Sequence, residues 1–161
     1  MNTKAERYQK VITTLDALIG AEEGKKGKYE VDDIGKMALI SWALKHHFPE
    51  FVFVGFYLAS KPDLLTIGPY QGDVMACGTI PFGKGVCGVA AEKCKIVIVD
   101  DVEQFPGYIS CDSETKSEIV VPVMREGEVT AILDVDCVEK NFFDATDESE
   151  LQEIVKRFLK A

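Results

Sequence analysis

The stretch Phe51-Val52-Phe53-Val54-Gly55-Phe56-Tyr57-Leu58 decides how the rest of the chain is read. It is β-branched and aromatic, uncharged and without helical period, so it predicts a buried strand. Such a strand needs neighbours beside it and elements covering its faces. Downstream, Lys61-Pro62-Asp63 reads as a turn and Leu64-Leu65-Thr66-Ile67-Gly68 as the antiparallel partner. Two more strands are expected at Glu118-Ile119-Val120-Val121-Pro122-Val123-Met124 and Val129-Thr130-Ala131-Ile132-Leu133-Asp134-Val135-Asp136. The hinge between them, Arg125-Glu126-Gly127-Glu128, suits a hairpin.

The covers come from the ends of the chain. Val11, Ile12, Leu15, Leu18 and Ile19 recur at helical spacing up to Gly20, and a polar loop, Glu22–Lys28, follows. A second helix is expected from Val31 to His47, with Ile34, Met37, Ala38, Ile40, Trp42 and Leu44 as its apolar contacts and Pro49 as its stop. Leu151, Ile154, Val155, Phe158 and Leu159 line a C-terminal helix for which Asp144, Thr146 and Asp147 are all competent caps. Between the strand pairs, residues 69–117 are rich in glycine and turn formers, with a short helix at Gly85–Lys93 and a short strand at Ile96–Val99. The expected class is α+β: one domain over 1–161, its mostly antiparallel central sheet covered by N- and C-terminal helices. A long irregular segment inside a compact domain usually carries function.

Charge and cysteine usage narrow the function. Against 18 lysines and arginines stand 27 acidic residues, a net charge of -9, which repels phosphate backbones and anionic headgroups. Nucleic acid and membrane surface are therefore not expected as partners. No apolar run is long enough to span a bilayer, and Met1-Asn2-Thr3-Lys4-Ala5-Glu6-Arg7 lacks the pattern of a signal peptide, so a cytosolic protein is expected. The five cysteines are odd in number, form no CxxC, and the only histidines, His46 and His47, are adjacent. That pattern offers neither a disulfide framework nor zinc-ligand spacing, and no metal or bound cofactor is expected.

Cys77, Cys87 and Cys111 lie in or border the irregular middle, each beside glycine or a small polar residue, whereas Cys94 and Cys137 sit in different contexts. Taken singly, each reads as a packed, inert thiol. Taken together, they supply what thiol redox chemistry needs, a thiolate that attacks and a second thiol that resolves the product as a disulfide. Asp134 and Asp136, two apart on one strand, share a face, and Glu118 opens the neighbouring strand. The two aspartates either line the solvent side of an edge strand or build an acidic pocket that binds an ammonium group and keeps one carboxyl protonated. Gly83-Lys84-Gly85-Val86-Cys87-Gly88 lacks the spacing of a nucleotide-binding phosphate loop and reads as a tight turn into a helix.

The chain resembles the free methionine-(R)-sulfoxide reductases, a branch of the GAF-domain proteins. The resemblance rests on Val54-Gly55-Phe56-Tyr57-Leu58, Gly68-Pro69-Tyr70-Gln71-Gly72, Ala76-Cys77, Gly83–Gly88, Val99-Asp100-Asp101-Val102, Phe105–Asp112, Ser117–Pro122 and Leu133–Asp136, in order along the chain. It implies a GAF-like fold and reduction of the free amino acid. Cys111 would attack the sulfoxide sulfur and become a sulfenic acid, Cys77 would condense with it, and Cys87 would be an alternative resolver or nucleophile. A thioredoxin-like external reductant would reset the disulfide. Glu118, Asp134 and Asp136 would bind the substrate ammonium and protonate its oxygen, and the backbone around Tyr108, Ile109 and Ser110 would hold its carboxylate. Phe53, Tyr57 and Tyr70 would cage the methyl group, although the family usually has tryptophan at the position of Phe53 and histidine at that of Tyr108. The competing reading is a non-catalytic GAF module that binds a small molecule or senses redox state, and the terminal helices leave room for a homodimer.

Overall fold

The computed structural model describes residues 2–21 and 25–160, so Glu22, Glu23 and Gly24 of the polar loop lie outside the described residues. Its strands are β1 (Phe51–Lys61), β2 (Leu64–Gly72), β3 (Thr79–Pro81), β4 (Val97–Val99), β5 (Ser117–Arg125) and β6 (Glu128–Cys137). The helices are α1 (Lys4–Ile19), α2 (Asp33–His47), α3 (Gly85–Lys93) and α4 (Ala145–Leu159). The strands form one sheet in the order β3-β2-β1-β6-β5-β4, every neighbouring pair antiparallel.

The period-2 alternation of the central strands sorts side chains onto two faces. Val54 and Phe56 of β1, Ile119, Val121 and Val123 of β5, and Ala131, Leu133 and Val135 of β6 pack beneath α1, α2 and α4 in the larger core. Phe53, Tyr57, Val120 and Ile132 point the other way, into a smaller core with α3 and the loops of the middle segment. The strand that decided the sequence reading is thus buried on both faces, as expected.

Caps define the helix ends. Thr3 and Glu6 form a capping box at the start of α1, and Asp144 and Asp147 form another at the start of α4. The β5–β6 hairpin turns at Glu126 and Gly127, both with positive φ (50° and 83°), the left-handed pair that matches strand twist.

The structure corrects several boundaries. The second helix begins at Asp33 behind an Asp32 cap rather than at Val31, and Ile34, Ala38 and Trp42 face outward instead of into the core. Trp42 is 41 % exposed and stacks on His46. Neighbouring Ser41, buried, back-bonds to the Met37 carbonyl and takes the inward position. The partner of β1 runs on to Gly72, and the middle segment holds the short strand Thr79–Pro81 that local sequence does not announce. No helix of the described residues is long and apolar enough to cross a membrane.

Candidate active site

Alternation along β5 and β6 brings three carboxylates to one place. Glu118 is directly opposite Asp136, Val120 is opposite Asp134, and all three acids project toward α3. From the second position past the start of α3, Cys87 approaches, its Sγ 3.6 Å from Glu118 Oε1. Glu118, Asp134, Asp136 and Cys87 are each between 4 and 8 % exposed, so the edge-strand alternative for the aspartates is overturned. β6 is a central strand of the sheet, and its inner face is covered.

Burying three acids together without a lysine, arginine or histidine in the lining disfavours their ionised forms. Burial, followed by the negative charge of Asp134, holds Glu118 and Asp136 well above the carboxylate range. Asp134 is pushed up to about 6, first by burial, with hydrogen bonds from Glu118, Cys87 and Asp136 working in the opposite direction. The Cys87 thiol is driven upward by burial and then by Asp134 and Glu118. Tyr57 and Tyr108 are raised for the same reasons and stay as neutral donors. The cluster therefore retains protons near neutrality and can donate one. Even so, Oδ1 of Asp134 and Oδ1 of Asp136 are buried with no hydrogen-bond partner. Buried polar atoms are nearly always paired, so two orphans side by side mark a place built for something that binds.

Cys77 and Cys111 are joined in a disulfide across 34 residues of sequence, their Cα atoms 5.5 Å apart, within the ordinary span of such a bridge. Cys111 borders the pocket beside Ile109 and Asp112. The Asp112 carboxylate accepts from the backbone N–H of Glu114 and of Thr115 and from the Thr115 hydroxyl, which pins the loop that carries Cys111. The Tyr57 hydroxyl meets the backbone at Cys77, tying the other loop to the same pocket. With this bridge closed, the cavity between the loops and the acids measures about 30 Å³. That is room for one or two water-sized groups.

Of the residues singled out from sequence, Cys87, Cys111, Glu118, Asp134, Asp136, Tyr108, Ile109, Phe53 and Tyr57 line this pocket. Tyr70 does not; it stacks behind Phe53, ring centroids 5.3 Å apart. Ser110, singled out for its backbone, is not among the lining residues, and its hydroxyl donates to the Asp112 carbonyl. Gly85, whose φ of 61° few other residues tolerate, lets α3 start against Ile109. Asp112 and Ile80 belong to the lining and were not singled out. The Asp112-x-x-Thr115 spacing, a common loop-capping pattern, is the signal that could have found the first. Cys94 is exposed at the left-handed C-cap of α3, and Cys137 lies in the opposite core, where burial raises its thiol to about 11.

Residues 39–157 match the GAF domain family. A free methionine-R-sulfoxide reductase of Saccharomyces cerevisiae is 43 % identical over 77 % of this chain and 70 % of its own length. The Escherichia coli protein of the same name is 34 % identical over 98 % of this chain and 89 % of its own. The crystal structure of free methionine-R-sulfoxide reductase from Neisseria meningitidis in complex with its substrate superposes with a TM-score of 0.88 at 36 % identity, covering 99 % of this chain and 90 % of that one.

Proposed function

The chain belongs to the GAF-domain family, together with the free methionine-R-sulfoxide reductases, and from that premise we propose that it reduces free methionine-(R)-sulfoxide to methionine. The observation that carries the proposal is a disulfide, Cys77–Cys111, at the edge of a pocket floored by three carboxylates, of which Glu118 and Asp136 are held well above the ordinary carboxylate range and keep a proton near neutrality.

In this reading Cys111, as thiolate, attacks the sulfoxide sulfur while a carboxyl of the cluster protonates the sulfoxide oxygen. The oxygen ends on the Cys111 sulfur as a sulfenic acid and methionine leaves. Cys77 then condenses with that sulfenic acid, forming the disulfide and releasing water, so two thiols supply the two electrons. Sulfoxide oxygen departs poorly as an anion, and general-acid help of this type contributes about 10²–10⁴-fold. The unpartnered oxygens of Asp134 and Asp136 suit the substrate ammonium. Phe53 and Tyr57 suit its methyl end, and Tyr108 and Ile109 border the space left for its carboxylate. The Cys77–Cys111 disulfide is the oxidised product of this sequence, so the disulfide form corresponds to the spent state, and reduction restores the two thiols. We assign that reduction to a thioredoxin-like dithiol in the cytosol, with no bound cofactor.

The test is thioredoxin-coupled NADPH oxidation with free methionine-(R)-sulfoxide, its (S) isomer and a peptide-bound sulfoxide, run beside Cys111→Ser. Turnover of the free (R) form alone, abolished by the substitution, is expected. No turnover with any of the three from folded, fully reduced protein refutes the proposal and leaves a ligand-binding GAF module.

A further inference from the structure

The reductase reading employs the three carboxylates with Cys77 and Cys111, while Cys87, which the resemblance offers as an alternative resolver or nucleophile, is a free buried thiol in the disulfide form. Sγ of Cys87 and one carboxylate oxygen each of Glu118 and Asp134 all lie within 4.8 Å of one another, and all three residues are buried. In a tetrahedral zinc site, Zn–S of about 2.3 Å and Zn–O of about 2.0–2.2 Å put donor atoms about 3.3–3.8 Å apart. The 3.6 Å between Cys87 Sγ and Glu118 Oε1 already meets that spacing, and the rest of the set is within about 1 Å of it.

A second observation points to a cation at this place. Asp134, a member of the cluster, and Asp136, which lines the same pocket, are more than nine-tenths buried, each has an Oδ1 without a hydrogen-bond partner, and no basic side chain lines the pocket. A substrate ammonium answers the carboxylates but gains little from a thiol. A sulfur donor beside two carboxylates selects a borderline metal such as zinc over magnesium or calcium, which take oxygen alone. The cavity left in the disulfide form accommodates an ion.

We propose that Cys87, Glu118 and Asp134 form a Zn²⁺ site in the floor of the pocket, and that the ion there excludes the substrate ammonium. The site stands on the geometry alone; the exclusion rests on the reductase reading. Zinc is then a reversible inhibitor held by groups that the reaction uses for another purpose, and Cys87 is its anchor.

The test is titration of the Cys77–Cys111 disulfide form, carrying Cys94→Ser to remove the exposed thiol, with Co²⁺ as the spectroscopic probe and Zn²⁺ as its displacer. One equivalent of cobalt with sulfur-to-metal charge-transfer absorption is expected, insensitive to Cys137→Ser and lost in Cys87→Ser. Glu118→Gln is expected to weaken binding at least about tenfold, as even the partners behind metal ligands do. Far-ultraviolet circular dichroism and thermal unfolding verify that each variant is folded, and the isosteric Cys87→Ser keeps the packing. Absence of a saturable sulfur band, or its persistence in folded Cys87→Ser, overturns the site. In reduced Cys111→Ser, which cannot turn over, saturating free methionine-(R)-sulfoxide is expected to weaken cobalt binding at least tenfold; indifference to it overturns the exclusion. The cobalt band is read without turnover, so its absence sinks the metal site even in an active reductase. Inactivity toward methionine sulfoxide leaves the band and the site standing.

Discussion

Asp147 on one side of the sheet and Asp134 with Asp136 on the other are all buried aspartates, yet they live in opposite circumstances. Asp147 is fully buried and fully answered: it accepts from Lys4 Nζ at 2.6 Å, from the Tyr8 hydroxyl at 2.8 Å and from the backbone N–H of Asp144 at 2.8 Å. It joins α1 to the start of α4 and belongs to the architecture. Asp134 and Asp136 each leave an oxygen with no partner and have a third acid, Glu118, for company. Burial alone does not separate a structural acid from a functional one. The difference is in the partners: one face of the sheet spends its buried charge on holding helices together, and the other keeps it unspent for a ligand.

Mutation separates the two kinds of buried aspartate. Asp147→Ala removes the partner of a half-buried Lys4 and of the buried Tyr8 hydroxyl, and is expected to destabilise by about 3 kcal/mol or more. Thermal unfolding should show Tm lower by about 6–12 °C, with turnover of the folded fraction unchanged. Asp134→Asn and Asp136→Asn should do the reverse. Loss of the acid is expected to lower kcat/KM by about a hundredfold, a little under 3 kcal/mol of transition-state stabilisation, while the fold is retained. A hundredfold loss from Asp147→Ala at a temperature where it is folded would erase the distinction.

Stability against pH sharpens it further. A carboxyl whose pKa rises on folding leaves the folded state with the extra proton, so its penalty is absent below the unfolded value of about 3.9 and grows as pH rises. For Asp134 that growth runs from about 3.9 to about 6. Asp134→Asn should therefore stabilise the protein by about 3 kcal/mol at pH 7 and by almost nothing at pH 3.5, measured by urea unfolding at both values. A gain of equal size at the two pH values would mean that the carboxyl is not strained by burial. The smallest effect belongs to Cys94→Ser: the residue is exposed outside both cores, and stability should move by no more than about 0.5 kcal/mol.

How far the sequence carried this distinction depends on the element. Strand alternation in β1 and β6 is strong enough to place Val54 and Phe56 opposite Phe53 and Tyr57, so the sheet and its two faces were legible. The long helices were too, although α2 is apolar on more than one side and its outward Trp42 could not be told from an inward one. For Asp134 and Asp136 the i, i+2 spacing gave the shared face but not which face it was. That answer depends on β6 lying in the middle of the sheet and on α3 closing over it, both set by long-range packing. Tyr70 is absent from the lining for a related reason, since a side chain's last rotation follows its local partner, here Phe53. The meeting of Cys77 with Cys111 spans 34 residues, and spacing alone could not have paired them.

A single turnover of the reduced protein decides whether Cys77 and Cys111 carry the reaction. Fully reduced protein mixed with excess free methionine-(R)-sulfoxide, without any reductant, should release one methionine per chain. Peptide mass spectrometry should then find two thiols consumed, joined as Cys77–Cys111, with neither product from the (S) isomer or from Cys111→Ser. No methionine, or methionine released without loss of the Cys77 and Cys111 thiols, would contradict it.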